Sequence, residues 1–318
     1  MQIVILAHNA QALADRLLAS IPSSDIVPLS DSADALSGQR VRDLDPEIVI
    51  AEPARLTKLW ERFPSAWPHV KWVQSTFAGI EVLLPYARQR QFKLTRMNRG
   101  FAQPMAEYVF GHILAIRYRH REFHALQQIK HWDMRLAPTL NGQTLGLLGT
   151  GAVTTMIQTL AKQFGMSLIG VNRRGLKSGL IEHAVSTEQL YSIASQASIW
   201  VNTLPLTQCT SGLIDRRFFS KLPQNAIFVN VGRGQTVNEA DLLEWLQSNP
   251  SAWAVCDVFC EEPLPKSSPL WPQKNLVITP HMAAKSQPDD VVSLFLENLA
   301  AYTEHQPLTG EVNLAQGY

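Results

Sequence analysis

Cysteine is scarce in this chain of 318 residues, and the 3 that occur make no disulfide framework. Cys256 and Cys260 flank an Asp-Val-Phe stretch, and no second pair stands at zinc-binding spacing, so no metal is expected. With Cys209 they read as small core residues of a protein kept in a reducing compartment. An excess of one charge is lacking too: 28 Lys and Arg face 27 Asp and Glu, a formal net charge of +1. That balance offers no electrostatic footprint for nucleic acid or an anionic membrane. The local run Arg117-Tyr118-Arg119-His120-Arg121 reads instead as a solvated helix face or a subunit contact. No apolar stretch is long enough to span a bilayer. The opening MQIVILAHNA has neither a basic leader nor a small-residue cleavage site, so it reads as a first strand. Repeats of fixed period and low-complexity segments are absent as well. The expectation is a soluble, cytoplasmic protein without nucleic-acid or membrane partners.

What is present fits two globular domains. The chain is 46% apolar and 17% charged, and its length is more than one core usually holds. In the first ninety-odd residues QIVILA, EIVIAE, VKWVQST and FKLTRMN read as strands, with AQALADRLLASI as a helix after the first. Such alternation argues for a parallel sheet covered by helices. Tyr108, Ile113 and Ile116 recur at helical spacing and predict one long helix from Met105 to about Ile129. From residue 143 onward QTLGLL, MSLIGVN, ASIWVNTL, AIFVNVG, SAWAVCDVF and NLVITP follow as six strand candidates, the number in a doubly wound dinucleotide-binding fold. DDVVSLFLENLAAYTEH near the end reads as an amphipathic last helix.

LGLLGTGAVT places Gly149 and Gly151 after a strand and Ala152 and Val153 at a helix start. The first glycine permits the tight bend, the second admits a pyrophosphate, and the helix N-terminus supplies oriented N–H groups. Thr154 stands where a third glycine is usual, so the fingerprint is incomplete. About twenty residues on, where an acid would hold the adenine ribose, the chain has Asn172, Arg173 and Arg174. Two cations beside a neutral residue attract a 2′-phosphate, which favours NADP(H) and leaves NAD(H) usable.

Three more segments end predicted strands: VGRG with Arg233, DVFCEEPLP with Asp257 and Glu262, and TPH with His281. Singly, each has a plain structural reading. Together, at the carboxyl ends of strands where such folds bind ligands, they suggest one site. Hydride addition to a ketone leaves an alkoxide, so a proton donor must stand beside the oxygen. Histidine does this near neutral pH, and an adjacent carboxylate favours its protonated form. An arginine fork grips a carboxylate and polarises a carbonyl. Arg233 between two glycines then awaits a 2-keto acid.

With these motifs the chain resembles the D-isomer-specific 2-hydroxyacid dehydrogenases over nearly its whole length. The carriers, in order, are LGLLGTGAV, NTLPLTQCTSGLI, AIFVNVGRG, AVCDVFCEEPLP, SPLW and ITPHMAA. It is most similar there to the glyoxylate/hydroxypyruvate reductase A type, down to the terminal Gln316-Gly317-Tyr318. The resemblance implies an α/β chain of two doubly wound parallel-sheet (Rossmann-like) domains. Residues 1–98 and 286–318 would form a flavodoxin-like substrate-binding domain, and 99–285 the NAD(P)-binding Rossmann domain. It implies Arg233 as the substrate-binding arginine, Glu262 as the histidine's partner and His281 as the acid/base. Asp257 would hold the nicotinamide carboxamide, while Leu204, Pro205, Thr210, Val231 and Gly232 would line the cofactor. The loop QSTFAGIE would bind the substrate carboxylate through the N–H groups of Ala78 and Gly79, opposite Arg233. Phe77 stands there where a smaller residue is common, and Glu81 replaces the usual aspartate. The long helix would serve a homodimer. The expected reaction is NADPH-dependent reduction of a small 2-keto acid to the 2-hydroxy acid. Two alternatives remain open: an NAD-linked dehydrogenase of the phosphoglycerate kind, and a nucleotide-sensing protein without catalysis.

Overall fold

A computed structural model of the chain describes residues 1–22, 24–30, 38–135 and 137–314. The terminal Gln316-Gly317-Tyr318 lies outside the described residues. The chain divides into two compact units, Met1–Gly100 with Lys285–Tyr318, and Phe101–Ala284.

The first unit alternates β1 (Gln2–Leu6), α1 (Ala10–Ser20), β2 (Asp25–Leu29), α2 (Gly38–Arg42), β3 (Ile48–Ala51), α3 (Pro53–Arg62), β4 (Trp72–Ser75), α4 (Leu84–Arg90) and β5 (Lys93–Thr95). All five strands are parallel, in the order β2-β1-β3-β4-β5. This is the flavodoxin-like order, with its switch point between β1 and β3. Sequence patterning misses β2, because Pro28 interrupts its run; the strand lies at the sheet edge, where a missing N–H is tolerated. Helix α1 buries Ala10, Leu13, Ala14 and Leu17, a stripe at spacings of three and four. Val4, Leu6, Val49, Val73 and Leu94 point to one face of the sheet, over Leu56, Leu59 and Trp60 of α3. Helices on both faces explain why these strands are nearly continuous apolar runs.

The second unit opens with α5 (Ala102–Arg117) and α6 (His120–Gln128). The single long helix expected from Met105 to Ile129 is therefore two. The break falls at Arg119, which takes a left-handed φ of +55° inside the charged run, and neither glycine nor proline announces it. Then follow β6 (Thr144–Leu148), α7 (Thr155–Gln163), β7 (Ser167–Asn172), β8 (His183–Ser186), α8 (Leu190–Ile193), β9 (Ile199–Asn202), α9 (Arg216–Phe219), β10 (Ile227–Asn230), α10 (Glu239–Ser248), β11 (Trp253–Cys256) and β12 (Leu276–Ile278). The parallel sheet runs β12-β11-β10-β9-β6-β7-β8. Counted along the unit this is 3-2-1-4-5-6 plus a seventh strand, and the switch point lies between β6 and β9. The extra strand relative to the sequence reading is β8, a four-residue edge strand with one buried side chain. Close packing holds the centre: a Cβ on Gly146 would strike the indole of Trp200 on neighbouring β9.

The last helix, α11 (Pro288–Thr303), belongs to the first unit. Its Phe295 stacks on Trp72 at 5.2 Å between ring centroids. Its Asn298, fully buried, donates to Gln74 Oε1 and Thr309 O and accepts from Thr309 N–H. Among the described residues no helix is long and apolar enough to cross a membrane. Only Cys256 of the cysteines is a core residue; Cys209 and Cys260 are exposed, because they sit in loops beyond β9 and β11.

Candidate active site

The switch point of the second sheet is built around a turn that needs its glycines. Gly149 has φ +91°, and a Cβ there would approach Thr203 Oγ1 at 2.7 Å. A Cβ on Gly151 would meet nothing within 4 Å, so the space before the helix is open. Ala152 and Val153 begin the following helical turn, and no side chain among the described residues caps its N-terminus. Thr154, in the third glycine's place, is fully buried and locally satisfied. Its hydroxyl donates to Gly151 O at 2.7 Å and accepts from Gln158 Nε2 at 3.1 Å. A bare turn, an open approach and a helix N-terminus together fit the pyrophosphate of a dinucleotide.

Beyond β7 the structure separates the three residues proposed for the ribose end. Asn172 closes the loop: its amide donates to Thr150 Oγ1 at 3.0 Å and Leu176 O at 2.7 Å. Its Oδ1 accepts from the N–H groups of Arg174 and Leu176. Arg173 and Arg174 are exposed, and Lys177, which motif reading passed over, adds a third exposed cation to the same loop. Ser178 ties this loop to the glycine turn through Thr150 O at 3.1 Å. Thr210 is likewise a loop organiser: it is buried and donates to Pro205 O at 2.6 Å, holding Leu204-Pro205 in place.

The glycines around Arg233 serve packing. A Cβ on Gly232 would approach Leu204 O at 2.8 Å, and one on Gly234 would overlap the Phe259 carbonyl. The turn is thus wedged between the segments that follow β9 and β11. Beneath it, buried Asn202 donates to Asn230 Oδ1 and Thr236 Oγ1, both at 2.8 Å. Thr236 in turn donates to Arg233 O at 2.6 Å. The half-buried guanidinium donates to Gly232 O at 2.8 Å.

Glu262 and His281 meet at the ends of β11 and β12. Glu262 Oε2 stands 2.8 Å from His281 Nδ1, and its Oε1 accepts from Phe259 N–H at 2.9 Å. Burial acts against the carboxylate's charge. The hydrogen bonds from His281 and Phe259, with the charges of His281 and Arg233, outweigh it and hold Glu262 below the ordinary carboxylate range. With Nδ1 turned to the carboxylate, Nε2 is the nitrogen available to a ligand. The imidazole side chain is 52% exposed.

His281 is presented by an unusual turn. Its φ is +50°, a left-handed conformation costing a non-glycine residue about 1–2 kcal/mol. Asp257, 1% exposed, holds that turn. Its backbone carbonyl accepts His281 N–H at 2.8 Å, and its carboxylate accepts the N–H groups of Met282 and Ala283 at 2.8 Å each. Thr279 donates to the same carboxylate at 2.6 Å.

In the first unit the loop after β4 is pinned by its own side chains. Ser75 Oγ donates to Phe77 O and accepts Phe77 N–H, at 2.9 and 3.0 Å. Buried Gln74 donates to Ser75 O at 2.9 Å. Among the described residues the N–H groups of Ala78 and Gly79 have no hydrogen-bond partner. The Phe77 ring is 42% exposed.

The family model for the NAD-binding domain of D-isomer specific 2-hydroxyacid dehydrogenases matches residues 110–283. The chain belongs to that family. Its members are NAD(P)-dependent D-2-hydroxyacid dehydrogenases and 2-keto acid reductases, so the protein is an oxidoreductase with a dinucleotide-binding second unit. The glyoxylate/hydroxypyruvate reductase A of Salmonella dublin is 31% identical over 221 residues, 70% of this chain and 71% of that protein. A family member from Aeromonas salmonicida superposes with TM-score 0.90 at 35% identity, covering 98% of this chain and 99% of that one. An NADPH-dependent glyoxylate/hydroxypyruvate reductase from Sinorhizobium meliloti, in complex with NADP and sulfate, gives TM-score 0.83 at 27% identity, covering 100% and 99%. The expected architecture of two parallel-sheet α/β domains is that of these family structures.

Proposed function

We propose that this family member reduces a small 2-keto acid, of the glyoxylate or hydroxypyruvate kind, to the D-2-hydroxy acid, using NADPH. The observation that carries the reading is the His281–Glu262 pair, with Nδ1 held at 2.8 Å on a half-exposed side chain. Bound NADPH supplies the hydride. The Gly149–Gly151 turn with Ala152 and Val153 holds its pyrophosphate, and Arg173 and Arg174, joined by Lys177, attract the 2′-phosphate. Leu204, Pro205, Val231 and Gly232 line its path, with Asn172 and Thr210 shaping the loops around it. His281 gives its proton from Nε2 to the nascent alkoxide, while Glu262 holds the ring through Nδ1. Arg233 grips the substrate carboxylate and polarises the carbonyl. The N–H groups of Ala78 and Gly79 are assigned to the same carboxylate from the family resemblance, which also makes residues 1–98 and 286–318 the substrate-binding domain. The NADP complex of the Sinorhizobium relative supports the cofactor choice. Asp257, assigned to the nicotinamide carboxamide by that resemblance, also holds the His281 turn.

A homodimer is part of the proposal. Ile129, Trp132 and Met134 are 72%, 87% and 83% exposed within one short segment, an apolar patch suited to a second copy. The function is tested by following oxidation of NADPH and of NADH against glyoxylate, hydroxypyruvate, pyruvate and phenylpyruvate. Turnover of the small acids with NADPH is expected, and equal or better use of NADH contradicts the cofactor reading.

A further inference from the structure

The turn that presents His281 is tied to a helix with no place in the chemistry so far described. Tyr108, on α5, lies 2.6 Å from Thr279 Oγ1, and Thr279 lies 2.6 Å from Asp257 Oδ1. The direction of these bonds follows from proton counting. A carboxylate only accepts, so the single hydroxyl proton of Thr279 goes to Asp257. Tyr108 must therefore donate to Thr279. Burial, with the nearby charge of Asp257, raises the Tyr108 pKa above its ordinary value despite the bond to Thr279, so the donor keeps its proton. The ring is fixed from the other side by His112, one turn along α5, at 4.5 Å between centroids. Burial lowers the pKa of that histidine against the pull of Asp257, leaving a neutral ring in contact with the tyrosine.

We propose that Tyr108 is a positioning residue for the proton donor. Through Thr279 it fixes the rotamer of the Asp257 carboxylate, and through that carboxylate the left-handed turn at His281. Oδ1 is the shared point, because it accepts both Thr279 Oγ1 and Met282 N–H. Without the tyrosine hydroxyl, Thr279 Oγ1 loses its donor and is free to rotate off the carboxylate. One of the anchors of the turn then weakens, although no group touching substrate has changed. The inference rests on the reading of His281 as the proton donor.

The test is steady-state reduction of hydroxypyruvate or glyoxylate by NADPH in the full-length protein. Tyr108→Phe removes one oxygen and is expected to lower kcat by about 2- to 10-fold, the scale of one net hydrogen bond. The KM for the keto acid should stay within roughly 2-fold, since no substrate contact is touched. Thr279→Val should lower kcat similarly, and the double variant should be no worse than the poorer single, because either change cuts the same chain. Thr279→Ser keeps the hydroxyl and should retain wild-type kcat. If Thr279→Val does not fold, Tyr108→Phe and Thr279→Ser carry the test alone. Wild-type kcat in Tyr108→Phe, a thermal-stability loss with no change in kcat, or losses that add in the double variant would each overturn the proposal. His281→Ala separates the two levels. If that variant retains wild-type kcat, the proton-donor reading itself has failed. If it is inactive while Tyr108→Phe is unaffected, only the positioning role has failed.

Discussion

Asp257→Asn is the substitution whose effect the structure fixes most closely. The carboxylate accepts Thr279 Oγ1 and Met282 N–H on Oδ1, and Ala283 N–H on Oδ2. An amide offers one acceptor oxygen and one donor NH2 in the same outline. With the oxygen at Oδ1, the bonds to Thr279 and Met282 survive and the NH2 confronts Ala283 N–H. With the amide flipped, Ala283 is satisfied but Met282 N–H faces the donor. The first orientation loses fewer bonds, so Ala283 is where the damage appears. Hydrogen bonds to charged groups contribute about 1.5–3 kcal/mol each. Losing one in a local opening equilibrium speeds amide exchange by roughly 10- to 150-fold. The assay is native-state hydrogen exchange at Met282 and Ala283 in wild type and variant. Amide protection at Ala283 that changes by less than about threefold would refute the reasoning, since the carboxylate would then not be holding the turn.

Three other outcomes are expected. Replacing Arg173 and Arg174 with alanine should cost about 1–3 kcal/mol of NADPH affinity and shift preference toward NADH, as measured by fluorescence titration with each cofactor; equal losses for both cofactors would contradict the 2′-phosphate reading. Phe77→Gly should admit bulkier keto acids in an activity screen, because the ring is 42% exposed rather than locked in the core; an unchanged substrate profile would remove Phe77 from the pocket. His281→Ala should raise the Glu262 pKa, since burial, which already opposes its charge, is then countered only by Phe259 N–H and Arg233. In wild type the depressed value means that Glu262 contributes stability above its unfolded value of 4.5, and loses it as pH falls through the folded pKa. Carbon-labelled glutamate NMR reads both titrations, and identical curves would remove the interaction.

The family, the parallel sheets and the residues that converge on the His281 turn were legible because their signals are local. Apolar runs ending in Gly-Arg-Gly or Thr-Pro-His mark strand ends, and the parallel topology gathers strand ends on one edge. Two of the four sheet-edge strands, β2 and β8, were not legible, although β5 and β12 were. β2 hides behind Pro28, and β8 has one buried residue in four, too little for a periodic signal. The break at Arg119 has no glycine or proline to mark it, so periodicity runs straight through it. The loop-holding roles of Asn172 and Thr210 were hidden as well, since motif position says where a side chain lies but not which backbone groups it satisfies. Tyr108 illustrates the same limit. Its helical spacing with Ile113 and Ile116 reads as core, whereas its hydroxyl partner lies 171 residues away.

The central claim is that His281, held by Glu262, is the proton donor. The kcat of keto acid reduction at saturating NADPH, for wild type, His281→Ala and Glu262→Gln, tests it most directly. His281→Ala should lose about 10²- to 10⁴-fold in kcat, and Glu262→Gln, which leaves Nδ1 facing an amide, should lose part of that, with the dissociation constant for NADPH near wild type in both. A kcat within about threefold of wild type in His281→Ala would contradict the account.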